Sequence, residues 1–249
     1  MDSKFLNFID NAIEQFSLLD DQESMWHLAN RLVTEVGGNA LNITTSTPNK
    51  TITWARSSMN EDWLNDYLAE GFYTSDPLYQ SINVTNAFTT LRAGSLTKKD
   101  TDDTKLLDLN HGLVGTGYNS VFGLNFAGNA HNTHKLISIC SDLSVEEFQK
   151  ALPFNEMRLL ASIISVNIGI PGDKNQEGVF SVGQKTITSK EGEVFSWLAA
   201  GLRNEAIADK LNIAEITVRK HIISARKKLN AHTREQALAV AICDGHIQL

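Results

Sequence analysis

The fifteen residues WLNDYLAEGFYTSDP, positions 63 to 77, bring together the side chains best suited to chemistry. Trp63 and Tyr67 stand four apart, so on a helix they share one face. Asp76 follows nine residues later, directly before Pro77. An indole N–H donates, a phenol donates or accepts, and a carboxylate accepts. Converging on one space, the three would hold a small ligand with a polar head. A plainer reading makes the segment a half-buried helix whose Asp76 only caps a turn. At this point both stand.

The rest of the chain must position these groups. At 249 residues it has room for one large domain or two ordinary ones, and its 42% hydrophobic and 20% charged composition is that of a globular protein. No apolar run approaches the roughly 20 residues that span a bilayer, and the opening MDSKFLNFIDNAIEQF does not read as a signal peptide. Cys140 and Cys243 lie in apolar runs far apart, which suggests two buried thiols in a reducing, cytoplasmic setting. The net charge of −7 is uneven: about −10 falls before Gly183 and +3 from Gly183 onward. An acidic body with a mildly basic tail implies two units with different partners.

FLNFIDNAIEQFSLL and ESMWHLANRLVTEV carry apolar residues at helical spacing. Two β-prone runs flank the turn at TPNK, and WLNDYLAEGF returns to a helix. The segment NVTNAFTTLRAGSLTKKDTDDTKLLDLNHGL reads as turn-rich with one short helix. YNSVFGLNFAG and THKLISICSD read as a strand pair. Ser144 with Glu147 has capping-box spacing ahead of a long helical pattern that Pro153 kinks or splits. PGDKNQEGVFSVGQK lacks any period and reads as a linker. The expected organisation is α+β: an α-β-α sandwich ligand-binding domain over 1–170, a linker over 171–185, and an all-α four-helix helix-turn-helix domain over 186–249.

In that last segment an eight-residue helix capped by Asn204, a turn through Asn212 and Ile213, and a longer basic helix have helix-turn-helix spacing. Thr188, Lys190, Glu191, Glu193, Val194, Gly201, Asn204, Ile207, Ala208, Thr217, Val218, His221, Lys228 and Leu229 occupy the positions of a recurring pattern. That pattern resembles the LuxR-type helix-turn-helix over about 60 residues. The resemblance implies double-stranded operator DNA as a partner. It makes Arg219 the leading base contact, with Lys220 beside it, and places Arg226, Lys227 and Lys228 nearer phosphates. Thr217, Lys190 and Asn204 complete the expected DNA-binding set. Ala214 stands where the family has a capping Ser.

The first domain opens with two helices, unlike a phosphoryl receiver, and resembles the autoinducer-binding domain of quorum-sensing LuxR regulators. Their Trp, Tyr, Asp, Pro spacing is matched by Trp63, Tyr67, Asp76 and Pro77. The resemblance implies an N-acyl-homoserine lactone. Trp63 would donate to the lactone carbonyl and Tyr67 to the amide carbonyl, while Asp76 would accept from the amide N–H. It also implicates Ser138, and Tyr73 through the apolar segment YLAEGFY. Leu91 stands where the family carries a further Trp, with Phe88 the nearest aromatic. Val121 replaces a usual Pro, and Gly112, Gly115 and Gly117 compete for one family glycine.

The implied protein is a dimeric, cytoplasmic, ligand-responsive transcriptional regulator, with no cofactor, no metal, no membrane association and no enzymatic activity. Rival readings are a regulator of non-lactone or ligand-independent type, and an enzyme using Asp76 with His111, His131 or His134.

Overall fold

The computed structural model describes residues 3–47, 52–84, 86–127, 133–169, 179–180, 187–229, 231–243 and 246–247. The chain divides into two units, Met1–Val182 and Gly183–Leu249.

The first unit is built on an antiparallel sheet in the order β3-β4-β5-β1-β2-β6. Its strands are β1 Ala40–Ser46, β2 Ile52–Ser57, β3 Phe88–Arg92, β4 Ser120–Ala127, β5 His134–Ser141 and β6 Val179–Phe180. Alternation along the strands sends side chains to two different layers. Leu41, Ile43, Phe122, Leu124, Ile137 and Ile139 pack under α1 (Ser3–Ser17), α2 (Gln22–Glu35), α6 (Val145–Ala151) and α7 (Phe154–Asn167). Ala40, Val121, Leu136 and Cys140 face the other way, toward α3 (Glu61–Ala69), α4 (Pro77–Gln80) and α5 (Thr104–Gly115). The expected α-β-α sandwich is therefore the observed one.

Local signals place the helix ends. Ser144 and Glu147 form the reciprocal capping box that opens α6. Pro153 splits the long helical pattern and is itself the N-cap of α7. At the other end of α7, the buried Lys135 on β5 donates to the carbonyls of Ser165 (2.6 Å) and Ile168 (2.7 Å). A cation at a helix C-terminus meets the negative end of the dipole and its unpaired carbonyls. Burial nevertheless holds this amine down at about 8.

Three expectations need correction. The region read as turns and one short helix contains β3, which pairs with β4 along its whole length; FTTLR is too short for its alternation to stand out from the turns around it. Within the expected linker, Val179–Phe180 adds to the β2 edge as β6, because backbone pairing requires no side-chain period. The remainder of 171–185 lies outside the described residues. Cys140 is buried, but Cys243 is exposed, since the short final helix turns that face away from its neighbours.

The second unit is helical: α8 Ser189–Ala199, α9 Asn204–Leu211, α10 Glu215–Lys228 and α11 Arg234–Cys243. Val194, Phe195, Leu198, Ile207, Val218, Ile222, Ala225 and Ala237 form its core. Thr188 and Glu191 close a capping box at α8. Asn212 takes the left-handed conformation (φ 52°) that ends α9 and starts the turn into α10. Arg203, not Asn204, is the N-cap of α9, and Asn204 is the first helical residue.

Ala214 caps α10 in extended geometry (φ −71°, ψ 145°) with no side-chain hydrogen bond. Ala214→Ser supplies the missing acceptor without altering the backbone. It is expected to stabilise the unit by about 0.5–2 kcal/mol. Urea unfolding followed by circular dichroism checks this; an unchanged midpoint would reject the cap.

Candidate functional site

One turn of α3 and one tight bend assemble the candidate ligand site. Asn60 caps α3 by accepting from the backbone N–H groups of Asp62 and Trp63, which fixes the rotation that points Trp63 and Tyr67 inward. Gly71 (φ 65°) then reverses the chain in the left-handed region, where a glycine carries no steric penalty. Behind it, Phe72 packs on the Trp63 ring (centroids 6.0 Å apart) and meets the Tyr67 ring edge-on at 6.2 Å. The bend delivers Asp76 to the start of α4, where Oδ1 accepts from the Leu78 N–H at 2.9 Å. Its Oδ2 accepts from the Tyr67 hydroxyl at 2.8 Å.

Trp63, Tyr67 and Asp76 thus line one cavity of about 90 Å³. Its floor is Asn42 and Thr44 of β1 with Ser138 and Cys140 of β5; Leu91, Val121, Leu109 and Leu113 supply aliphatic walls. Burial raises the Asp76 carboxyl above its ordinary value, opposed by the hydrogen bonds from Tyr67 and the α4 backbone. Burial also pushes the Tyr67 hydroxyl well up, and the Asp76 charge adds to that. The Cys140 thiol, pushed up to about 12 by burial, stays protonated at neutral pH. Among the described residues no histidine lines this cavity. His111 sits 2.8 Å from the Leu96 carbonyl oxygen on an exposed face of α5, and His134 begins β5. His131 lies outside the described residues.

Of the residues expected around the ligand, Trp63, Tyr67, Asp76, Ser138 and Leu91 come together. Two do not. Phe88 stacks on Phe122 and meets Phe154 edge-on on the opposite face of the sheet, because its position in β3 is three before Leu91 and so of the other parity. Tyr73 turns away to meet Tyr79 edge-on at 6.3 Å, beside Ala55 and Leu68. Asn42, Thr44, Met59 and Tyr79 line the cavity without having been singled out. The shared parity of Asn42 and Thr44 in β1 is the signal that could have found them.

Among the three competing glycines, Gly112 has a packing reason. A Cβ there would stand 2.5 Å from the Trp63 ring, whereas one at Gly115 would meet nothing within 4 Å. Gly112→Ala favours the helix by about 1 kcal/mol in isolation but must push the indole into the cavity. The expected result is a ligand affinity lowered by at least about tenfold, read by titration calorimetry. Undiminished binding would show that the indole can shift without cost.

In the second unit, α10 carries the candidate DNA-binding groups. Arg219, Lys220 and Lys227 are exposed, Arg226 and Thr217 partly so. Arg219 is held by Glu215 at 2.8 Å and the exposed Lys190 by Glu193 at 2.9 Å, pairs that water screens and a phosphate can displace. Asn204 accepts a long 3.4 Å bond from Arg234. Lys228 is the exception. Its ammonium donates to the buried Glu191 at 2.7 Å, so in this structure it ties α10 to α8. Burial opposes charge on Glu191, yet Lys228, Ser224 and the Thr188 N–H outweigh it and hold the carboxyl at about 2.

Residues 185–241 match the GerE family, described as bacterial regulatory proteins, luxR family. The uncharacterized transcriptional regulatory protein YxjL of Bacillus subtilis (strain 168) is 46% identical over 61 residues, 24% of this chain and 28% of its own length. Spore germination protein GerE of the same organism is 38% identical over 63 residues, 25% of this chain and 85% of GerE. In fold, Escherichia coli SdiA aligns over 98% of this chain and 100% of its own (TM-score 0.53, 18% identity). CepR2 from Burkholderia cenocepacia, an N-acylhomoserine lactone dependent LuxR family factor, aligns over 67% of this chain and 96% of its own (TM-score 0.55, 10% identity). With its helix-turn-helix and 38% identity to GerE over 85% of that protein, the chain belongs to the luxR family of bacterial regulatory proteins.

Proposed function

We propose that this regulator senses an acylated small molecule in its first unit, with an N-acyl-homoserine lactone the preferred signal, and binds operator DNA as a homodimer through α10. The observation that carries the ligand reading is the cavity where Trp63, Tyr67 and Asp76 meet aliphatic walls. A lactone carbonyl, an amide carbonyl and an amide N–H require a donor, a donor and an acceptor, and buried polar atoms need such partners. Leu91, Val121, Leu109 and Leu113 suit an acyl chain. Because about 90 Å³ falls well short of the roughly 300–1,000 Å³ typical of ligand pockets, binding would move the α3–α5 layer outward. Binding to the folded state alone would also stabilise the unit by mass action.

Binding without turnover fits the cavity better than catalysis. It pairs Asp76 with a phenol, and its thiol is held neutral. Among the described residues no group of His, Cys, Asp or Glu could hold a metal ion, and no helix is long and apolar enough to cross a membrane. A cytoplasmic location follows from the DNA partner. Dimerisation follows from the few base pairs one small helix-turn-helix can read.

A second acyl ligand is favoured by one feature: Leu91 leaves the polar end with an aliphatic wall that an aromatic cap would otherwise fill. SdiA has been solved with octanoyl-rac-glycerol, whose hydroxyls could donate to a carboxylate such as Asp76. Mass spectrometry of small molecules extracted from purified protein, expressed with and without added acyl-homoserine lactones, tests both. A retained lactone supports the first reading and a retained acylglycerol the second. Folded protein that retains neither rejects an acyl signal.

A further inference from the structure

The outer stripe of α10 is not uniformly basic. Val218, Ile222 and Ala225 mark its buried side. At about 100° per residue, Ile216, Lys220, Ile223 and Lys227 fall opposite them, with Arg219 at the margin. Ile216 is 58% and Ile223 50% exposed, in a helix whose other outward groups are charged. A stripe made only for solvent or for phosphate has no use for two β-branched aliphatics, which also lower helix propensity. The flanking cations commit the stripe to a polyanion. In the major groove of DNA the apolar feature on a base edge is the thymine C5-methyl group.

We propose that Ile216 and Ile223 determine sequence specificity by packing on thymine methyl groups. The inference rests on α10 being the helix that enters the groove. Seven residues of helix separate the two side chains by about 10.5 Å, or roughly three base steps of 3.4 Å. Ile216 lies in the first turn, where recognition helices approach the bases most closely. Lys220 sits between the two isoleucines and supplies charge without displacing either. Contacts to the sugar-phosphate backbone place the helix but carry no base information. The isoleucines add an apolar term that salt does not screen.

The test uses the full-length chain, with and without added N-acyl-homoserine lactones. A preferred duplex is first selected from a random pool, and each thymine in it is then replaced by uracil, which differs only in lacking the methyl. Wild-type protein is expected to lose about three- to fivefold in affinity at each contacted thymine, the equivalent of one buried methyl. Ile216→Ser should abolish the thymine preference at one position. Ile223→Ser should abolish it at another, about three base pairs away, while helix content by circular dichroism stays unchanged. Equal binding of thymine and uracil duplexes at every position would overturn the proposal, as would a preference that survives both substitutions. Failure to enrich any sequence would overturn it together with the groove-reading role of α10, and so separates the two failures.

Discussion

Asp76→Asn is expected to keep the fold and lose the ligand. Asparagine caps a helix as well as aspartate, so the bond from the Leu78 N–H that opens α4 survives. What disappears is the acceptor-only carboxylate. Hydrogen bonds to charged groups are worth about 1.5–3 kcal/mol, so affinity for an acyl-homoserine lactone should fall roughly 10- to 150-fold. Titration calorimetry with a panel of such lactones reads the loss.

A pH profile sharpens the same experiment. Burial raises Asp76 above its ordinary 3.8 in the free protein. The folded state therefore holds a proton that the unfolded chain has already released, and this group's contribution to stability declines as pH rises from 3.8 toward the raised value. An amide N–H favours the charged form, so binding expels that proton. Wild-type affinity should weaken as pH falls through the raised value, and affinity of the Asn variant should not follow. Full affinity in Asp76→Asn would remove the carboxylate from the ligand site and leave it as a cap alone.

The second large effect concerns the unit that holds α10. Glu191 accepts from Lys228 across the helix interface and closes the Thr188 capping box. Glu191→Ala leaves a partly buried ammonium without its carboxylate and opens the Thr188 capping box, a loss of about 1–3 kcal/mol. Hydrogen exchange of peptides from α8 and α10 should accelerate together, because one residue anchors both helices. The pair also predicts acid sensitivity. Glu191 is held at about 2, below its ordinary 4.5. Its stabilisation is complete above about 4.5 and is lost as pH falls toward 2, because the unfolded state takes up the proton first. That acid-labile component, of order 2–3 kcal/mol, should be absent from Glu191→Ala. Acceleration confined to α8 would assign the residue to its cap and not to the tie.

Local chemistry made much of this protein legible before any coordinates. The capping box at Ser144 and the break at Pro153 depend on residues within four of one another, so spacing alone specifies them. Trp63 and Tyr67 share a face for the same reason, and the helix-turn-helix is a chain of such local signals. Other features depend on partners distant in sequence. Whether Phe88 or Leu91 reaches the ligand cavity is a matter of parity in β3, and β3 exists because β4 pairs with it. Val179 and Phe180 become a strand only at the free edge of β2. Gly112 matters because the Trp63 indole fills the space beside it, and Lys228 is paired with a carboxylate 37 residues away. Sequence alone determined most of the helices, the Ser144 capping box and the types of the polar groups, because those follow from neighbours along the chain. Tertiary structure decided which of these groups face one another, because register and packing bring together residues that share no local spacing.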